Sequence, residues 1–345
     1  HKMGYRGTTS TILRFGEEGS CHGELIGEAH KGLLYMFQMM NEARIGVGLG
    51  ATMLAHAGYL HALDYARERP QGRHVDGKDA AAPQVAIIEH ADVKRMLLAQ
   101  KAIAEGAMAL CFYAANLVDQ EASDEGEEAR RDAASLLDFL TPICKAWPSQ
   151  FGPRANDMAI QVMGGYGYTR DFPVEQLYRD NRLNPIHEGT DGIQAIDLLG
   201  RKVGLEGGRG LTLLAGEIAA CCAEARQVGE LAALADALES RFASLRDVTA
   251  GLLEQMAQGE SGAALANASL YLEAFGHTVI AWMWLRQALV AARLGAGDSS
   301  DPDYLSGNLQ ACRYFFAFEL PRVDQLTAVL RHGDQTCAEM RSNWF

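Results

Sequence analysis

The chain has no CxxC pair, and its seven cysteines, at 21, 111, 144, 221, 222, 312 and 337, are odd in number. That excludes zinc-finger and thioredoxin-like spacing, and any disulfide framework that uses every thiol. Free buried thiols in a reducing, cytoplasmic compartment are the expectation, with Cys221 and Cys222 as helix filler. The histidines at 22, 30, 56, 61, 74, 90, 277 and 332 fall at no metal-ligand spacing, so no metal site is expected. Positive charge is in deficit: 31 Lys and Arg against 44 Asp and Glu give a net charge of −13. A chain this acidic has no bulk attraction for nucleic acid or an anionic membrane, although a local basic pocket could still hold a phosphate-bearing ligand. No GxGxxG follows a strand, so a Rossmann site is unsupported. No start Met, signal peptide or targeting pattern is visible in HKMGYRGTTS, which reads like the middle of a longer protein. The most apolar stretch, ASLYLEAFGHTVIAWMWLRQALVA, is broken by Glu273, His277 and Arg286. It reads as a buried bundle helix, and no membrane span is expected.

What is present is helix periodicity. The 345 residues are 48% hydrophobic, enough for a core and, by length, for two domains. TTSTILRF alternates weakly and could be a strand, and ELIGEAHKG reads as a turn into a helix. From Gly32 to about Arg69, Leu33, Phe37, Met40, Ile45, Leu49 and Leu54 recur at helical spacing. Gly46, Gly48 and Gly50 within this run suit close packing against a backbone or ligand. Residues 69–83 read as a loop, 85–121 as a second helix, and ASDEGEEARRD as a polar bridge. A third helix spans roughly 130–164, interrupted or entered near Pro142, Pro148 and Pro153. GGYGYTRDF, 164–172, is a tight loop, Pro173 opens a short helix over 174–181, and another helix runs from near Gly189 to about Val203. Residues 30–203 thus read as an antiparallel bundle of four or five helices. LEGGRG, 205–210, is a linker, followed by helices near 211–239, 243–257, 261–293, 303–318 and 321–340.

Four places could carry chemistry. Glu188, in NPIHEGTDG, follows Leu183, Pro185 and Ile186, whose cover would bury it in part, raise its pKa and make it a general base. A Glu before Gly-Thr equally serves at a helix start or on a surface. Gln161, Gly164 and Gly165, in QVMGGYGYT, would end a helix and give a phosphate or ribose access to the backbone; a glycine-rich helix stop without a ligand has the same sequence. Arg69, with Arg67 and Arg73, makes a basic patch suited to phosphate, or a solvated helix end. Arg44 lies in an apolar helix and needs an anionic partner. Arg179 and Asp180, followed by Arg182, read as structural pairing. His187 adjoins Glu188 and would shape or cap an acyl pocket.

These segments carry a family resemblance. HKMGYRG resembles the end of the middle β-domain of acyl-CoA dehydrogenases. YRDNRLNPIHEGTDGIQ resembles the segment that holds that family's catalytic base, and QVMGGYGYTRDFPVEQLYRD resembles the helix, loop and helix before it. The likeness covers residues 1–203. The tail after 205 resembles the extra helical domain of larger members, including the 3-methylmercaptopropionyl-CoA dehydrogenase type. The resemblance implies a mostly α chain: the end of a β-domain at 1–28, the family's C-terminal helical bundle at 29–204, and a further helical domain at 205–345.

The resemblance also implies a reaction, the FAD-dependent α,β-dehydrogenation of an acyl-CoA thioester to trans-2-enoyl-CoA. Glu188 would take the pro-R α-proton while the β-hydrogen leaves as hydride to the flavin. The Glu188 backbone N–H and a flavin hydroxyl would hold the thioester oxygen. Arg69 would contact the FAD pyrophosphate of a neighbouring subunit, and Gln161, Gly164 and Gly165 its adenosine end. Thr190 and Gln194 would lie near the cofactor of the base-bearing subunit, with Arg44, His187 and Gly189 on the substrate side. A shared cofactor implies a homodimer or tetramer, and an electron-transferring flavoprotein is the implied acceptor. In some branches the base is a Glu directly before the arginine; here that place is Ala43, and Glu42 sits about 100° away around the helix, which favours Glu188. Gly72 replaces the aromatic that often follows the Arg-x-x motif, and His187 replaces the aromatic that often precedes the base. The family's N-terminal helical domain and most of its β-domain have no counterpart in this sequence. An oxygen-using acyl-CoA oxidase and a non-catalytic helical relative or fragment therefore stay open as alternatives.

Overall fold

The computed structural model describes residues 1–76, 81–123, 126–295 and 301–345, apart from the side chains of residues 37 and 38. Parts of the expected 69–83 loop and polar bridge, and the Phe37 side chain, lie outside the described residues.

Three long helices pack on one another in the first half: α1 (Gly32–Glu68), α2 (Ala91–Glu121) and α3 (Glu127–Met163). The second helix starts later than its sequence implies, because Ile87–Glu89 form a separate 3₁₀ turn ahead of it. The third does not break at its prolines. A proline inside a helix frees the carbonyl four residues earlier. For Pro148 that is the Cys144 carbonyl, and α1 passes against it at Gly48, where a Cβ would lie 2.1 Å from the oxygen. A bare Cα can approach that oxygen as a weak C–H donor. Of Gly46, Gly48 and Gly50, Gly48 therefore has the close-packing role; Gly46 and Gly50 face open space.

After α3, Gly164–Tyr168 make a 3₁₀ turn, and α4 (Val174–Asn181) and α5 (Asp191–Gly200) follow. Residues of α4 anchor the N-terminal segment: Arg179 Nη1 donates to Met3 O at 2.6 Å, and Asp180 Oδ1 accepts from the Tyr5 amide at 2.7 Å. The expected strand at 8–15 does not form; Ile12, Leu13 and Phe15 are exposed and their backbone has no ladder partner. Among the described residues the only β pairing is an isolated antiparallel bridge between Pro70 and Ala86. A lone extended segment gains nothing from strand geometry without a neighbour.

A kinked 3₁₀ segment, Lys202–Gly207, leads into α6 (Arg209–Ala225), α7 (Ala232–Ala257), α8 (Ser261–Leu265), α9 (Ala268–Gly295), α10 (Pro302–Tyr314), α11 (Arg322–His332) and α12 (Thr336–Glu339). The break expected near 240 falls instead at 226–231, where Gly229 sits; ALESRF has no breaker and stays helical. A π-helical turn, Phe315–Glu319, follows α10. The apolar stretch of α9 is buried, as its sequence implies. One described helix, α2, is long and apolar enough by length and composition to cross a membrane, and half of its most apolar window is buried.

The tail does not keep a core of its own. Buried side chains from α2, α3 and α5 join those of α6, α7, α9 and α10 in one cluster. Trp147 of α3 lies where a Cβ on Gly276 of α9 would come within 2.3 Å of its ring, and Phe139 meets Phe275 edge-on at 5.4 Å. Trp284 Nε1 donates to the Ala102 carbonyl of α2 at 2.9 Å.

Candidate active site and a distant cleft

The Glu188 turn is built by side chains arriving from three helices. Glu188 has φ +53° and Gly189 φ +87°, two successive left-handed residues. For Glu188 that conformation costs about 1–2 kcal/mol, so the surroundings must enforce it. Lys145, fully buried in α3, donates from Nζ to the Asn184 and Gly189 carbonyls, both at 2.7 Å. Gln194, fully buried in α5, donates from Nε2 to the Glu188 carbonyl at 3.0 Å. A Cβ at position 189 would sit 2.6 Å from that same Nε2, and at φ +87° any side chain there would be strained, so the position favours glycine. The Glu188 backbone N–H has no acceptor among the described residues and is free to donate.

A second set of contacts fixes His187. Asn156 Nδ2 donates to Leu54 O at 2.9 Å, and Asn181 Nδ2 donates to Ala51 O at 3.0 Å and to Asn156 Oδ1 at 2.7 Å. Asn184 Nδ2 donates to Asn181 Oδ1 at 2.9 Å, which leaves Asn184 Oδ1 facing His187 Nε2 at 3.1 Å. The two main-chain carbonyls can only accept, so they orient every amide along the row. His187 must then carry its proton on Nε2. Burial, and then repulsion from Lys145, push its pKa down, so the ring is neutral near pH 7.

Burial also pushes the Lys145 ammonium down, to about 8, against the pull of Asp191. Asp191, at the start of α5, is raised by burial, with Lys145 opposing. Arg44 is 5% exposed and donates from Nη1 to Asp197 Oδ2 at 2.7 Å, while Arg201 holds the other oxygen at 2.7 Å. Burial alone would raise Asp197, but the hydrogen bonds from Arg201 and Arg44 outweigh it and hold the carboxyl below the usual range.

One expectation is corrected here. Glu188 is exposed, because Leu183 and Pro185 do not cover it and Ile186 is itself 54% exposed. Its carboxylate stands in water in this chain, on a backbone that is firmly held. Thr190 is exposed at the N-cap of α5, whereas Gln194 turns inward to the loop, with its Oε1 buried and unpartnered.

The other expected residues meet elsewhere. Arg69, Gln161, Gly164 and Gly165 line one cleft of about 750 Å³ with Tyr65, Gly72, His90 and Tyr166. The Arg69 guanidinium lies 5.6 Å from the Tyr166 ring centre. Gly164, at φ 59° and ψ −137°, reverses the chain as α3 ends. No atom would meet a Cβ on Gly164 or Gly165, so their backbone is open to a ligand. Arg44 lies about a third of the way along α1, and Arg69 is its C-cap. Twenty-five residues of helix separate them by about 37 Å.

Sequence reasoning missed Lys145, Asn156, Asn181, Asn184 and Asp197. Lys145 left a signal, a single charge inside the apolar run TPICKAWPSQF. Asn156 and Asn181 left none, since their partners are distant in sequence, and Asn184 bonds to Asn181 and His187 three residues to either side.

Two family profiles match: "Acyl-CoA dehydrogenase, C-terminal domain" over residues 30–203 and "Acetyl-CoA dehydrogenase C-terminal like" over 214–341. The chain belongs to the acyl-CoA dehydrogenase family. It is 37% identical over 319 residues to a 3-methylmercaptopropionyl-CoA dehydrogenase of Ruegeria pomeroyi, covering 91% of this chain and 52% of that protein. It is 32% identical to the broad-specificity linear acyl-CoA dehydrogenase FadE5 of Mycobacterium tuberculosis, covering 99% and 57%. The chain thus spans about half the length of the curated relatives it matches. Among solved structures, Caenorhabditis elegans ACDH-11 in complex with C11-CoA superposes with a TM-score of 0.72 at 19% identity, over 92% of this chain and 50% of that one. At that identity the likeness speaks for the fold alone.

Proposed function

We propose that this chain carries the catalytic base of an FAD-dependent acyl-CoA dehydrogenation that yields a trans-2-enoyl-CoA. The observation that carries this reading is the Glu188–Gly189 turn, a strained backbone fastened from below by Lys145 and Gln194, with an exposed carboxylate above. Glu188 takes the α-proton of the thioester, and its unbonded N–H donates to the thioester oxygen as negative charge gathers there. When bound, FAD supplies the acceptor for the β-hydride. Since Glu188 is open to water, the ligands and neighbouring protein must exclude solvent. Neutral His187 flanks the carboxylate without a competing positive charge.

The distant cleft fits the phosphate and adenosine end of such a cofactor, because it joins the Arg69 cation to the open backbone of Gly164 and Gly165, beside Gln161. Its separation from Arg44 along α1, about 37 Å, supports a reading in which the two sets serve different cofactor molecules. We therefore assign the cleft to the FAD of a second copy, in a homodimer or tetramer. An electron-transferring flavoprotein is the proposed acceptor and the cytoplasm the proposed compartment. The test uses protein in which these residues accompany a flavin-binding β-domain. An acyl-CoA should bleach the flavin anaerobically, and Glu188→Gln should abolish bleaching while flavin stays bound. Bleaching retained in that variant removes Glu188 as the base, and peroxide formed without an added acceptor would mark an oxidase instead.

A further inference from the structure

We propose that Lys145 is the positioning residue of the base, a clamp from α3 that holds both ends of the segment carrying Glu188; this rests on the reading of Glu188 given above. One ammonium donates to Asn184 O and to Gly189 O, both at 2.7 Å, so it spans the intervening Pro185–Ile186–His187–Glu188. The turn has little else to hold it. Ile186 is half exposed, Glu188 is exposed, and the amides of Ile186 and His187 both depend on the one Leu183 carbonyl, at 2.9 and 3.2 Å. Gln194 holds the Glu188 carbonyl, and it lies on α5, whose start follows directly from the turn. The Asn184 side chain reaches the long helices indirectly, through Asn181 to Asn156 of α3 and Ala51 O of α1, whereas Lys145 ties Gly189, at the far end of the turn, directly to α3.

The charged groups facing Lys145 support a clamp over a proton carrier. Asp191 and Glu188 favour its ammonium form, and Arg44 opposes it. Its side chain is fully buried under the loop, away from the exposed carboxylate surface where a substrate would arrive. An ammonium has three donors and no acceptor, so at this place it orients carbonyls. Orienting Gly189 and Asn184 sets the left-handed backbone of Glu188, and so aims both its carboxylate and its free N–H. In the distribution of roles, Lys145 touches neither substrate nor cofactor.

Amide hydrogen exchange on this chain tests the clamp without any assay of activity. In the wild type the Ile186 and His187 amides should be protected relative to the amides of residues 9–15, none of which has a backbone acceptor among the described residues. Lys145→Met should speed their exchange by about tenfold or more, the worth of a hydrogen bond to a charged donor, while amides of α1 between 45 and 62 stay slow. Wild-type Ile186 and His187 exchanging as fast as residues 9–15 would overturn the proposal even if the variant did not fold. Fast exchange throughout α1 as well would reduce Lys145 to a general core residue and also overturn it. In flavin-loaded enzyme, Lys145→Met should lower kcat per bound flavin by about 100-fold with KM little changed, the usual cost of displacing a reacting group by about 1 Å. If Glu188→Gln is inactive but Lys145→Met keeps full kcat, the clamp is wrong and the base assignment stands. If Glu188→Gln is active, the base assignment itself has failed.

Discussion

Asp197→Ala should be among the most damaging single changes outside the hydrophobic core. Asp197 is 11% exposed at its side chain and is the sole anion paired with Arg44 among the described residues, and the Arg44 side chain is 6% exposed. Removing the carboxylate strands a buried guanidinium, whose Nε already lacks a partner. Breaking a buried pair from one side costs about 3–5 kcal/mol. The second partner, Arg201, is 56% exposed at its side chain and adds at most about 1 kcal/mol. The assay is urea denaturation followed by circular dichroism on Asp197→Ala, Arg44→Met and the double variant Arg44→Met/Asp197→Leu. Each single change should lower stability by several kcal/mol. The double should recover most of the loss, because it leaves no unpaired charge and fills the site with apolar volume. If Asp197→Ala costs under about 1 kcal/mol, as an exposed pair would, the pair is not buried in solution. If the double loses the sum of the singles, the sites act independently and the pairing argument is wrong.

Other consequences follow from the same contacts. Because the Asp197 pKa is held below its ordinary value of about 3.9, its contribution should be complete above that value and vanish as pH falls through the lower folded pKa. The gap between wild type and Asp197→Asn should therefore close in acid, and a gap that widens there refutes the assignment. Lys145 behaves in the opposite charge sense. Its folded pKa of about 8 lies below the ordinary 10.5, so the unfolded chain holds more protons between those values and wild type should gain stability over Lys145→Met as pH rises through that window. A flat difference from pH 8 to 10.5 would place the ammonium in a better solvated site. Gly276→Ala forces a Cβ to within 2.3 Å of the Trp147 ring and should cost about 1–3 kcal/mol by overpacking, measured by denaturation with tryptophan fluorescence; a neutral result means that α9 does not seat on α3 as described.

Helix periodicity located the long helices because burial on one face repeats with the helix turn; in α1 the signal rests on buried Ile45 and half-buried Met40, Leu49 and Leu54, while Leu33 is 69% exposed. It failed where the decisive partner lies far along the chain. Pro142, Pro148 and Pro153 read locally as breaks, yet α3 continues through them, and at Pro148 the freed carbonyl meets Gly48, about a hundred residues earlier. TTSTILRF has a strand's alternation, but the described residues offer it no strand to pair with. At the site, the exposed carboxylate and the glycine after it were legible as a motif. What holds them was not, because Lys145, Asn156 and Asn181 act through main-chain carbonyls that carry no sequence signature.

That division explains why Gln194 was assigned to the cofactor and found beneath the loop. A family motif marks which positions are restricted and says nothing about the direction in which a side chain faces. Gly189 and Gln194 constrain each other: a Cβ at 189 would strike Gln194 Nε2, and without that amide the Glu188 carbonyl loses its donor. Restriction at 194 thus follows from the geometry of the turn, with no ligand required. Restriction at Gly164 has a different cause, a backbone reversal beside an open cleft with Arg69 on its wall. The two groups of residues, one at the turn before α5 and the other where α3 ends beside Arg69, therefore answer to different physical demands. One keeps the Glu188 backbone in its left-handed turn, and the other keeps a backbone wall open beside the Arg69 cation.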